Sequence, residues 1–122
     1  MKKVLVVDDS ALARQLVRAA LGAVLGHTDF VEAEDGAVAL RTLVTKDFDL
    51  VVCDLNMPVM DGHALLARLR GLAHHKRTPV LILSSLVNDA KAAQLKAAGA
   101  NVVLKKPFTN QQIRESLRAV GL

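Results

Sequence analysis

The stretch VVCDLNMPVMDG, Val51 to Gly62, decides how this chain is read. Val51, Val52 and Cys53 suit a strand covered on both faces, and they run straight into Asp54 with no turn residue between. A carboxylate at the end of an apolar strand costs free energy unless it is paired, hydrogen-bonded or put to use. Beyond it, Asp61-Gly62 forms a turn pair whose aspartate can cap a following helix.

Working outward, apolar runs of about five residues alternate with longer stretches of helical period, the mark of an α/β chain. Strands are expected at Val4 to Val7, Phe30 to Ala33, Leu50 to Cys53, Pro79 to Ser84 and Asn101 to Leu104. Leu12, Leu16, Ala19, Ala20 and Ala23 recur at spacings of three and four, so a helix from Ser10 to about Val24 has one apolar face. Further helices are expected from Ala37 to Lys46, opened by Asp35-Gly36, and from Asp61 to about Arg70. A fourth is capped by Asn88 or Asp89 and stops near Gly99. The last runs from Thr109, whose spacing to Gln112 is that of a capping box, to about Val120.

The 122 residues amount to about one domain, with 52% hydrophobic residues but only 2% aromatic ones, so Val, Leu, Ile and Ala must build the core. The single cysteine, Cys53, excludes an intrachain disulfide, and no run reaches the length of a membrane span or signal peptide. A cytoplasmic chain with no membrane insertion is expected. Sixteen Lys and Arg against twelve Asp and Glu give a net charge of +4. The basic residues are dispersed and almost no aromatics interleave with them, which argues against direct nucleic-acid binding. A solvated surface, or a partner with an acidic face, fits better.

Continuous apolar strands without alternation point to a parallel sheet covered by helices on both faces. In such doubly wound folds the ligand site lies beyond the carboxyl ends of the strands. Those ends deliver Asp8 and Asp9, then Asp54, then Ser84 and Ser85, then Lys105, Lys106 and Pro107. Carboxylates gathered on one rim repel unless a cation compensates. Lys106 supplies one charge, and the remaining oxygen-rich cluster suits Mg²⁺, a hard cation at home beside phosphate. Asp54 then has a role as a nucleophile that becomes an aspartyl phosphate, while Lys106 neutralises charge on the transferred group.

These residues together resemble a response-regulator receiver domain of the CheY type over essentially the whole chain, 1 to 122. The marks are VLVVDDS with Asp8 and Asp9, DLNMPVMDG from Asp54, Ser84 closing PVLILS, and KPF at Lys106, Pro107 and Phe108. The resemblance implies a five-stranded parallel sheet of order 2-1-3-4-5 with five helices. It implies that Asp54 accepts a phosphoryl group from a histidine kinase or phosphotransfer protein. Asp9 would bind Mg²⁺ directly, Asp8 largely through water, and Asn56 through its backbone carbonyl. Ser84 and Lys106 would contact phosphoryl oxygens, the Lys106-Pro107 bond would be cis, and a surface of helix four, strand five and helix five would switch toward a downstream effector protein.

Plainer readings stand beside these. Asp8-Asp9 fits an N-cap with a favourable dipole charge, and Asp61 a turn and cap outside the site. Cys53 should be a core thiol, Lys105 surface, and His74-His75 with Lys76 and Arg77 an exposed loop. The chain also departs from the family pattern. Val103 stands where many members carry a switching aromatic, Ser85 where a very small residue is usual, and Leu86 where a polar side chain could position water. Three functions compete: a phosphorylation-operated binding module, a phosphatase with an Asp nucleophile, and a regulatory domain of a longer effector such as a chemotaxis methylesterase. Asn56 stands where the phosphatase would need a second Asp. SALARQ and the run from Ser84 to Leu86 resemble methylesterase receivers, while the absence of a linker after the last helix suits a stand-alone protein. A receiver-like chain that never takes phosphate is the remaining possibility.

Overall fold

The computed structural model describes residues 1–122. Strands β1 (Lys2–Val7), β2 (Thr28–Ala33), β3 (Leu50–Asp54), β4 (Val80–Ser84) and β5 (Val102–Lys105) form one parallel sheet of order β2-β1-β3-β4-β5. Helices α1 (Ala11–Leu25), α2 (Gly36–Thr45), α3 (Gly62–Arg70), α4 (Asp89–Ala97) and α5 (Asn110–Ala119) connect or follow them. The expected fold class and topology are therefore those observed.

The strands read as unbroken apolar runs because the sheet has two cores. Leu5, Val7, Val51, Cys53, Val80 and Ile82 face α2, α3 and α4, joined there by Leu43, Leu65, Leu66 and Leu95. The alternate residues Val4, Val6, Leu50, Val52, Leu81 and Leu83 face α1 and α5, meeting Val17, Leu21, Ile113 and Leu117. Period-two geometry thus sends successive side chains into different cores. The two outer strands are less apolar: β2 opens with Thr28 and Asp29 before the expected start at Phe30, paired with Lys2 and Lys3.

Each α-helix begins where a side chain accepts from its first turn: Ser10 from the Ala13 amide, Asp35 from Val38, Asp61 from Ala64, Asn88 from Lys91 and Thr109 from Gln112. The Thr109–Gln112 capping box is complete. The cap of α1 is Ser10, so Asp8 and Asp9 are not spent on that task. One expectation is corrected. His75 lies in a short 3-10 turn (Ala73–His75) and is fully buried, because its ring reaches the carbonyls of Leu43 and Lys46 at the end of α2. Only its neighbours His74, Lys76 and Arg77 are exposed.

Candidate active site at the carboxyl rim

Asp54 is the last residue of β3, and the paired strands place Asp8 one residue beyond β1 on the same rim. Both are buried, while Asp9 is exposed. Carboxylate oxygens of Asp8, Asp9 and Asp54 all lie within 4.8 Å of one another. Lys106 follows β5 and sets its ammonium 3.1 Å from Asp8 Oδ2 and 3.1 Å from Asp54 Oδ1. The Lys106-Pro107 peptide is cis, as the resemblance implies.

Gly62 lets the chain after Asp54 fold back tightly. A Cβ at position 62 would sit 2.7 Å from the Asp54 carbonyl, and the Gly62 amide donates to Leu55 O at 2.8 Å. Asn56, inside that turn, donates its side-chain amide to Ser84 Oγ at 3.2 Å, and the Leu86 amide donates to the same oxygen at 3.1 Å. The fully buried Ser84 hydroxyl accepts both bonds, so its own proton is not used in either.

The electrostatics are lopsided. Burial raises the Asp54 carboxyl above the ordinary aspartate value; Lys106 opposes this, and Asp8 and Asp9 add to it. For Lys106, burial alone would lower the ammonium's pKa, but its hydrogen bonds and charge interactions with Asp54 and Asp8 outweigh that and raise it. Three carboxylates thus face one ammonium. The donor set is all oxygen, and the Asn56 carbonyl accepts no hydrogen bond within the protein. Such a hard, acidic and partly open cluster fits Mg²⁺, which Asp8, Asp9, Asp54 and the Asn56 carbonyl could hold.

A second trio, Asp47, His74 and His75, also lies within 4.8 Å. Chemistry argues against a metal there. The Nε2 atoms of both imidazoles lie 2.7 and 2.8 Å from the Leu43 carbonyl, so each carries a proton, and His75 Nδ1 is engaged with Thr78 Oγ1. Cys53 is fully buried in the core with its thiol pushed far up by burial, which leaves it inert. Asp61 caps α3, and Lys105 is exposed. Val103 is half-buried against the core under α4, and Leu86 is 81% exposed.

A family model for the response regulator receiver domain matches residues 4–118. The chain belongs to this family. Chemotaxis protein CheY-3 of Vibrio cholerae is 38% identical over 115 residues, 94% of this chain and 88% of that protein. Chemotaxis protein CheY of Pseudomonas aeruginosa is 36% identical over 118 residues, with coverage of 97% and 94%. The solved structure of Vibrio cholerae chemotaxis protein CheY4 matches this receiver with a TM-score of 0.88 over 98% of each chain at 37% identity. Receiver domains are switches of two-component signalling. Nothing in these likenesses favours the regulatory part of a methylesterase.

Two contributors to this end of the molecule were not legible in the sequence. Arg14, on α1, donates to the Asp8 carbonyl at 2.6 Å and to Glu32 at 2.8 Å. An apolar groove of about 610 Å³ also runs along α1, past Ala13, Leu16 and Ala20, to Phe108, Lys106 and Ser85. Its helical face was visible as a period, but the period predicts only burial. Nothing local shows that Leu12 and Leu16 stay exposed.

Proposed function

We propose that residues 1–122 act as a cytoplasmic receiver unit that takes a phosphoryl group on Asp54 from a histidine kinase or phosphotransfer protein. The observation that carries this is the Lys106 ammonium bridging Asp54 and Asp8 beside the exposed Asp9. An Asp54 carboxylate oxygen attacks phosphorus as the phosphoramidate P–N bond of the donor histidine breaks, and the departing imidazole retains the electron pair and is protonated. Lys106 follows the developing charge on the phosphoryl oxygens, and the unused Ser84 proton is available to another. Mg²⁺, when bound, supplies the positive charge that three neighbouring carboxylates require. Water later attacks the phosphorus, the Asp54 O–P bond breaks, and inorganic phosphate leaves as the carboxylate returns, so the protein catalyses its own loading and clearing without turning over a separate substrate.

The α1 groove opens onto Ser85 and Lys106, so a donor whose apolar face lies there brings its phosphohistidine to the rim. On the output side, Leu95 is the one buried residue of α4, which leaves that helix lightly held beside β5. If the Ser84 side chain turns to bring its hydroxyl to a phosphoryl oxygen, the bond from the Leu86 amide breaks and the β4–α4 loop shifts, a route that needs no aromatic at Val103. A downstream effector, in chemotaxis by likeness to the relatives, would read that face.

The test is intact mass after incubation with acetyl phosphate, with and without Mg²⁺. Wild type should gain one phosphoryl group only with metal, and Asp54→Asn none. If neither acetyl phosphate nor a beryllofluoride mimic alters the wild type, the chain is a constitutive interaction module. Leu16→Asp should slow transfer from a protein donor while leaving acetyl phosphate transfer intact.

A further inference from the structure

We infer that Arg14, held by Glu32, is a positioning residue for the acid pair Asp8-Asp9. This rests on the receiver reading above. The Asp9 carboxylate makes no hydrogen bond or ion pair, so only the backbone around it sets its direction. That backbone is held at Asp8. The Asp8 amide donates to Ala33 O at 3.1 Å within reach of β2, but its carbonyl lies beyond the end of the sheet and has no strand partner. Arg14 Nη1 donates to it at 2.6 Å. The Ala33 bond holds the Val7–Asp8 peptide plane, and the Arg14 bond alone holds the Asp8–Asp9 plane, at its carbonyl; that second plane sets where the Asp9 side chain leaves the backbone.

Arg14 cannot wander, because its Nε donates to Glu32 Oε1 at 2.8 Å and its side chain is only 17% exposed. Glu32 in turn accepts from Arg18 Nη1 at 2.8 Å. Hydrogen bonding by Arg14 leads the causes that hold the Glu32 carboxyl below its ordinary range, so the carboxylate stays charged and the guanidinium stays anchored. The arrangement requires arginine, since two acceptors in different directions must be met by one planar group. A lysine carries its donors on one nitrogen and cannot reproduce bonds made from two separate ones, Nε and Nη1.

The experiment compares wild type, Arg14→Ala, Arg14→Lys and Glu32→Gln. Mg²⁺ affinity is measured by calorimetry, and amide exchange at Ser10, whose N–H donates to Asp8 Oδ1, is measured in metal-free protein. Arg14→Ala should weaken Mg²⁺ about tenfold, the low end for loss of a group that supports a metal ligand. Ser10 exchange should quicken, Arg14→Lys and Glu32→Gln should fall between, and saturating Mg²⁺ should restore the wild-type phosphorylation rate. Folded Arg14→Ala with wild-type affinity and exchange overturns the assignment; should that variant unfold, unchanged values in Glu32→Gln do so instead. A wild type that ignores Mg²⁺ overturns the receiver reading, and the metal-free exchange rates still decide whether Arg14 holds the loop.

Discussion

At the amino-terminal rim of the sheet, a cation is surrounded by acceptors that match it; at the carboxyl rim, carboxylates outnumber the one cation they share. Arg70 closes α3 and donates to the carbonyls of Gly99, His75 and Thr78 and to Asn101 Oδ1, with no carboxylate among its partners. Burial lowers its pKa somewhat, but each donor direction is met. His75 extends the same network to Thr78 and to the end of α2. Asp8, Asp9 and Asp54, in contrast, have only Lys106 among cations. One rim is satisfied by the fold itself. At the other, acidic oxygens outnumber the cation within reach, which suits that rim to chemistry and the opposite one to stability.

The sharpest way to break this contrast is Arg70→Ala. It strips a shared donor from three carbonyls and from the Asn101 side chain, which separately tie the α3–β4 and α4–β5 connections. Leaving such groups unpartnered should destabilise the protein by about 3 kcal/mol, measured by urea unfolding. Arg70→Lys should recover only part of this, because one ammonium cannot span the set. Gly99 adds a steric reason for the fit: it has a φ of 116°, and a Cβ there would lie 2.8 Å from Arg70 Nε. A loss below about 1 kcal/mol would mean that water replaces the guanidinium readily and the two rims differ less than argued.

The opposite sign is expected at the carboxyl rim. The Asp54 carboxyl is raised in the fold, so its protonated form is the one the fold favours. That stabilising contribution is present below the unfolded aspartate value and is lost as pH rises through the raised folded value. Ionised Asp54 is therefore a net cost at pH 7 in the metal-free protein. Asp54→Asn should be more stable there by about 1 kcal/mol, the usual scale of a single-site change. The gap should close as pH falls through the raised carboxyl range, followed by thermal unfolding from pH 8 to pH 4. A gap that widens on acidification would show that Lys106 more than compensates the cluster.

The two rims also differ in how much the sequence reveals of them. Residues ending strands are legible, because apolar runs mark the strands and Asp54, Ser84 and Lys106 stand at their ends; every residue assigned to the site lies at this rim. Long-range side-chain partners are not. Arg14 reads as one more polar position on α1, since Glu32 is 18 residues away on strand β2. His75 sits in the polar run HHKR, and only the tertiary approach of the α2 end turns it inward. Strand edges slipped for a related reason: Lys2, Lys3, Thr28 and Asp29 pair through backbone bonds at a part of the sheet where side chains need not be apolar.

The smallest effect sharpens the comparison on the carboxyl rim itself. Val59, in the turn after Asp54, has a φ of 69° and is the only residue other than glycine in the left-handed region. A β-branched side chain is poorly suited to that conformation, at about 1–2 kcal/mol for the Cβ clash. Val59 is also 86% exposed, so no packing offsets the strain. Val59→Gly should relieve it, less about 0.4–1 kcal/mol for the added freedom of the unfolded chain. The net expectation is a gain of about 0.5 kcal/mol. Val59→Ala keeps the Cβ and should gain less. If glycine stabilises the protein while leaving Mg²⁺ affinity unchanged, the strain is incidental to the turn; if affinity falls with it, the strained turn helps hold Asn56 against the site, and part of the instability of this rim serves the geometry of the metal ligands.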